Sequence, residues 1–198
     1  MPNKKAFTLV ELLVSVSIIG VITSVVFWNY GDFNDQLALS AAAQELALDI
    51  REAQTYGINV KESGVGSNQY TYGYGVHIIA GGGTGYRTFI DNNPANNQYE
   101  PNAGCSTVSL PATECIRRVD FRNGINVTNV CDATTCPAAG ASRMNIVFIR
   151  PNPDAIIYFA SGLNNFGPVV SSARIQLTSP KGNVKYVKIE STGQVSIQ

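Results

Sequence analysis

The sequence predicts an α+β chain: a long N-terminal helical spine, membrane-spanning in its first half, packed on an antiparallel, sandwich-like β head. Three observations predict it. Residues 7–30 are apolar or small at nearly every position, and Glu11 is the only charged residue in that stretch. Residues 39–60 repeat apolar side chains at intervals of three and four, the period of one helix face. After Gly57 the texture turns to short β-prone runs separated by glycine, proline and asparagine.

The first element is long enough to cross a bilayer. Residues 7–30 at about 1.5 Å each reach roughly 36 Å, against a hydrocarbon core of about 30 Å. No proline interrupts them. Lys4 and Lys5 stand just before them, which keeps the N-terminus cytoplasmic and sends the rest of the chain outside. A cleaved secretory signal fits the lysines but not the length of the apolar run, the early Glu11 or the lack of a small-x-small site. A plain single-span anchor fits the length. It leaves Glu11 costing about 2.5–3.5 kcal/mol in lipid without return.

The helix is expected to loosen at Gly31 and Asp32, since an interior glycine costs about 1 kcal/mol. It then resumes over residues 31–57. Leu39, Ala43, Leu46, Ile50, Ala53, Gly57 and Val60 form the apolar stripe, while Glu45, Asp49 and Glu52 line another face. The reading is one helix from about Phe7 to Tyr56, ending near Gly57, whose second half packs on a head formed by residues 58–198.

In the head, YTYGYGVHII (70–79) and YRTFID (86–91) flank a glycine-rich turn and read as a hairpin. IRRVDF, GINV, MNIVFIR and AIIYFA are further short strands. The C-terminal stretch gives three strands, with turns at Pro180–Gly182 and Thr192–Gly193. Ile175 and Leu177, Val187 and Ile189, and Val195 and Ile197 mark one buried face per strand. No repeat of fixed period is present. Residues 90–104 and the cysteine region form long polar loops, which are often functional.

Formal net charge is zero, which argues against nucleic acid as a partner. The charge is unevenly spread: residues 7–100 carry three bases and nine acids, residues 101–198 nine bases and five acids. Neighbouring copies could attract head to tail, an effect that salt screens. The cysteines, Cys105, Cys115, Cys131 and Cys136, are spaced C-x9-C and C-x4-C. Structural zinc sites use paired C-x2–4-C spacings, and only half of this pattern comes near. In an exported chain the even count reads as two disulfides. Of the three possible pairings, Cys105–Cys115 with Cys131–Cys136 costs the least chain entropy.

Catalytic patterns are weak. His77 falls in a β-prone run, where the default is a half-exposed strand residue; a triad built on it has no support from spacing. AGGGTGY lacks the lysine and hydroxyl of a P-loop. Asp91, Asn92, Asn93, Asn96 and Asn97 offer oxygen ligands for calcium, but lack the order of an EF-hand loop; an asparagine-rich turn is the default. Tyr70, Tyr72 and Tyr74 alternate and would share a sheet face. They could stack bases, yet few basic residues lie near them, so an aromatic ladder is the expected role. The sequence thus predicts no catalytic residue, no metal ligand set and no cofactor, with calcium the one ion worth considering.

KKAFTLVELLVSVSIIG resembles the N-terminus of type IV prepilins and type II secretion pseudopilins. The family pattern is a basic leader, a small residue, a cut, a phenylalanine and a glutamate at the fifth mature position. Here these are Lys4 and Lys5, Ala6, Phe7 and Glu11. The resemblance implies a leader of residues 1–6, cleavage between Ala6 and Phe7 by a prepilin peptidase, and N-methylation of Phe7. One departure is Ala6, where glycine is usual; alanine is still small enough for a peptidase cleft. ELALDIREAQTYGINV also resembles the corresponding helix of minor pilins and minor pseudopilins.

Cleavage gives Glu11 a role. The new Phe7 amine titrates near pH ~8 when unmodified, so it is mostly cationic at neutral pH. Glu11 lies four residues on, about 6 Å along a helix. In a staggered stack, the Glu11 carboxylate of one subunit can meet the Phe7 amine of the next and set the register. The resemblance therefore implies a filament subunit rather than an enzyme: a minor type IV pilin, with a minor type II secretion pseudopilin as the close alternative. Its partners would be other pilin or pseudopilin subunits, the peptidase, an inner-membrane assembly platform with its ATPase, and membrane lipid. Its location would be the inner membrane as a precursor, then a periplasmic or cell-surface filament. A reading from another class is an exported binding or hydrolytic domain on a plain anchor.

Overall fold

The computed structural model describes residues 7–59, 71–92, 96–100, 105, 114–162 and 166–198. Helix α1 runs Leu9–Ile58, 50 residues without a break. It continues through Gly31 and Asp32, where the sequence suggested loosening. Thr8 is its N-cap: extended at φ −78° and ψ 148°, it accepts the Glu11 N–H on its hydroxyl. The helix ends as expected around Gly57. A Cβ at Gly57 would lie 2.4 Å from the Phe148 carbonyl oxygen, so only glycine lets the last turn approach the sheet this closely.

The head holds strands β1 (Gly73–Ile79), β2 (Gly85–Asp91), β3 (Cys115–Asp120), β4 (Asn126–Cys131) and β5 (Arg143–Phe148). They are followed by β6 (Ala155–Ala160), β7 (Phe166–Val169), β8 (Ser172–Thr178), β9 (Val184–Glu190) and β10 (Val195–Ile197). One sheet has the order β3-β2-β1-β5-β6-β7 and the other β10-β9-β8-β4. The named pairings are all antiparallel. An isolated bridge between Gly83 and Val127 ties the β1–β2 turn to β4, and so joins the two sheets.

The core lies where the second half of α1 meets both sheets. Leu39, Ala43, Leu46, Ile50 and Ala53 cluster with Val76, Ile78, Ile146 and Phe148 of the first sheet and Ile175, Leu177, Val187 and Ile189 of the second. Each large aliphatic side chain buried here contributes about 1.5–3 kcal/mol relative to exposure. The same stripe read from the sequence therefore anchors the spine to the head. Val195 belongs to this core, whereas Ile197, at the chain's end, stays 38% exposed.

Some features differ from the sequence reading. β4 begins at Asn126 and runs on to Cys131, since Gly124 sits at positive φ in the preceding turn. β7 carries Pro168 and lies at a sheet edge, where a missing N–H is tolerated. The tyrosine ladder is not one feature: Tyr74 is buried edge-on to Tyr56, Tyr72 precedes the strand, and Tyr70 lies outside the described residues. Leader residues 1–6, Val60 and Asn93 also lie outside them.

Candidate assembly site on the N-terminal helix

The first turns of α1 present an exposed apolar surface with one carboxylate. Phe7 is 77% exposed, and Leu9, Leu13, Ile18, Ile22 and Phe27 are exposed on all sides of the helix. None of the 18-residue window that is apolar enough to span a membrane is buried against the head. The hydroxyls in this stretch are satisfied internally. Ser15 donates to the Leu12 carbonyl (2.9 Å), Ser17 to Leu13 (2.8 Å), Ser24 to Val21 (2.7 Å) and Thr23 to Ile19. Such back-bonding hides the polar groups that lipid would penalise.

Glu11 stands in the first turn, exposed. A carboxylate there is favoured by the helix dipole. Phe7 sits just outside the cap. The two predicted positions are thus at one end of the spine, on the segment that the head leaves uncovered. Ala6 lies outside the described residues.

The other half of α1 is pinned to the head by polar links. Asp35 accepts from Ser179 Oγ (2.5 Å) and Asn183 Nδ2 (2.7 Å), and Asp32 pairs with Lys181 Nζ (2.6 Å). The Ser179 and Asn183 bonds hold the Asp35 carboxyl below its ordinary range. One turn, between β8 and β9, therefore grips the helix where it leaves the apolar segment. Higher up, Asp49 accepts from Tyr86 Oη (2.6 Å) and pairs with Arg117 (2.8 Å). Burial, then the Asp49 bond, pushes the Tyr86 hydroxyl far above its usual range. Arg51 donates to the Val195 carbonyl (3.2 Å). These partners were invisible in the sequence because they are about 37–149 residues apart.

The head's chemistry-bearing residues are arranged around the outer face of the first sheet. His77 is 2% exposed, not half-exposed, because Tyr99 stacks over it at 4.7 Å. Burial above all, with the fields of Arg143 and Arg87, lowers its pKa to about 4. The Asn145 amide is complementary to its neighbours when Nδ2 donates to His77 Nδ1 (2.6 Å) and Oδ1 accepts from the Tyr99 N–H (3.2 Å). In this arrangement Asn145 links His77 to the backbone of Tyr99.

Asp91 accepts from the N–H groups of Asn96 (3.0 Å) and Asn97 (2.6 Å), which ties these two asparagines to the end of β2. Oxygen atoms of Asp91, Glu100 and Glu114 lie within 4.8 Å of one another. These three carboxylates are close enough to hold a divalent cation together. Glu100 and Glu114 carried no sequence signal, because Glu114 is brought back by the fold beside the Cys105–Cys115 bridge. Burial raises the Asp91 pKa to about 6. The structure pairs Cys105 with Cys115 and Cys131 with Cys136.

A long apolar helix packed at one end on an antiparallel β head defines the class: a helical spine with a membrane-type segment and a β head. Residues 1–27 match the prokaryotic N-terminal methylation motif, the signature of type IV pilin and pseudopilin precursors. No curated protein and no solved structure matches the chain. The motif is that of a structural-subunit family and fits a membrane-anchored precursor.

Proposed function

We propose that the chain is a structural subunit of a type IV pilus-like filament, most simply a minor pilin. It is inserted as a precursor with its N-terminus in the cytoplasm, cut after Ala6, N-methylated on Phe7 and polymerised through α1. The observation that carries this reading is the coincidence of the methylation motif with a helix whose first half is apolar and exposed on every side. Such a surface is at home in lipid before assembly and against other helices after it. Glu11 pairs with the Phe7 amine of a neighbour and fixes the stagger. The β head points away from this contact and carries the specificity of the filament.

Glu11→Val tests the reading. Processing should persist, because the cut lies before Phe7, while recovery of the subunit in sheared filaments should fall at least tenfold, roughly the loss of one charged pair in lipid. Unchanged incorporation would remove the pairing role.

A further inference from the structure

Away from the helix, the first sheet carries a cross-strand row. Arg118 of β3, Arg87 of β2, His77 of β1 and Asn145 of β5 stand side by side in register. Arg87 and Arg118 are direct cross-strand partners, and like charges so placed repel. Asp120 relieves Arg118, accepting from Nε (2.9 Å) and Nη2 (2.8 Å). No ion pair of Arg87 occurs among the described residues. Arg143 adds a third positive charge near the row, and both it and Arg87 act on His77. His77 Nε2 is buried without a hydrogen-bond partner.

The row borders a hollow. Gly85 faces Asp120, and a Cβ there would collide with the Val119 carbonyl oxygen, so only glycine fits at this position. A cavity of about 250 Å³ lies here, lined by Arg87, Arg118, Asp120, Ile79 and the Gly82–Gly85 turn. It is a half-open pocket whose walls hold two guanidinium groups and one carboxylate.

We propose that this hollow binds one phosphate or sulfate group between Arg87 and Arg118. The planar guanidinium fork suits tetrahedral oxyanions, and charge-assisted bonds of this kind are strong. A doubly charged oxyanion would turn the Arg87–Arg118 repulsion into a shared attraction. The site lies on the sheet face opposite α1, so occupancy leaves the spine free. It stands independently of the filament reading.

The test uses the full chain in detergent micelles, titrated with sodium phosphate at constant ionic strength set by chloride. Calorimetry should show one saturable site, and the unfolding midpoint should rise with phosphate. Sulfate should act likewise. Arg87→Gln should weaken binding roughly tenfold or more, the worth of one charge-assisted bond. Its midpoint in phosphate-free buffer should equal or exceed that of the parent, because a repulsion is gone; a merely structural arginine would lower it. Arg118→Gln gives the same binding readout should Arg87→Gln fail to fold. Lys181→Gln should bind phosphate normally. Equal stabilisation by chloride, or full phosphate affinity in both arginine variants, overturns the proposal. A short single-stranded oligonucleotide serves as a competitor: arginine-dependent displacement of phosphate places the group in a polymer, and no displacement assigns free or monoester phosphate.

Discussion

At the scale of single residues, Glu11 and Asp91 show how environment decides the use of a carboxylate. Glu11 sits at a helix start, exposed on an apolar segment, and under the proposed function its value depends on an amine that only processing creates. Under the proposed function, Ala6 is the residue just before the cut. Replacing it by the glycine usual in this motif should speed precursor conversion in a pulse-chase gel, and slower conversion would contradict the assignment of the cut. Asp91 is a different case. Its folded pKa of about 6 exceeds the unfolded value of about 3.9. The protonated form is therefore favoured by folding. The associated stability is full below pH ~4 and is lost as pH rises through about 6. Urea midpoints should show this slope between those values, and Asp91→Asn should flatten it. An unchanged slope would place the titration elsewhere. Asp35 works in the opposite sense: its pKa is depressed, so its contribution is present at neutral pH and disappears in acid.

At the scale of elements, α1 is two helices in one. Among the described residues of its first half no side chain is buried against the head, and its second half is anchored by an apolar stripe and polar clamps. Leu46→Ala, at a fully buried position, should cost about 2–5 kcal/mol by cavity formation. Tyr86→Phe removes a bond to the carboxylate of Asp49 and should cost about 1.5–3 kcal/mol. Both are read by chemical denaturation in detergent. Asp35→Ala removes the Ser179 and Asn183 bonds and leaves the β8–β9 turn tied to the spine by the Asp32–Lys181 pair, so amide exchange at Lys181–Asn183 should quicken while exchange in β1 and β5 stays as in the parent. Much of the spine was legible because helix period and apolar content are local properties. The clamps were not: Asp49 read with Glu45 and Glu52 as a separate acidic face, and Asp32 only as a point of loosening, until Arg117 of β3 and Lys181 and Asn183 of the β8–β9 turn arrive from far along the chain.

At the scale of the whole molecule, the sequence foretold the class but not the arrangement. Alternation at Ile175–Leu177 and Val187–Ile189 located strands and their inner face, since period-2 burial is written along each strand. It carried no information on how ten strands divide into sheets of six and four. His77 was misread because its burial comes from Tyr99, a loop residue 22 positions away whose ring folds over the sheet. The same holds for Glu114 beside Asp91. Alternation also set Arg87 on one face of β2, yet its meeting with Arg118 depends on strand pairing across a long loop.

Under the proposed function, the helix becomes an assembly element only after the chain is cut before Phe7. Intact-mass and N-terminal fragment analysis of the protein recovered from cells decides this. The expected product is a chain that begins at Phe7 and carries one methyl group on its amine. A chain still beginning at Met1, or one cut after residue 30, would contradict it.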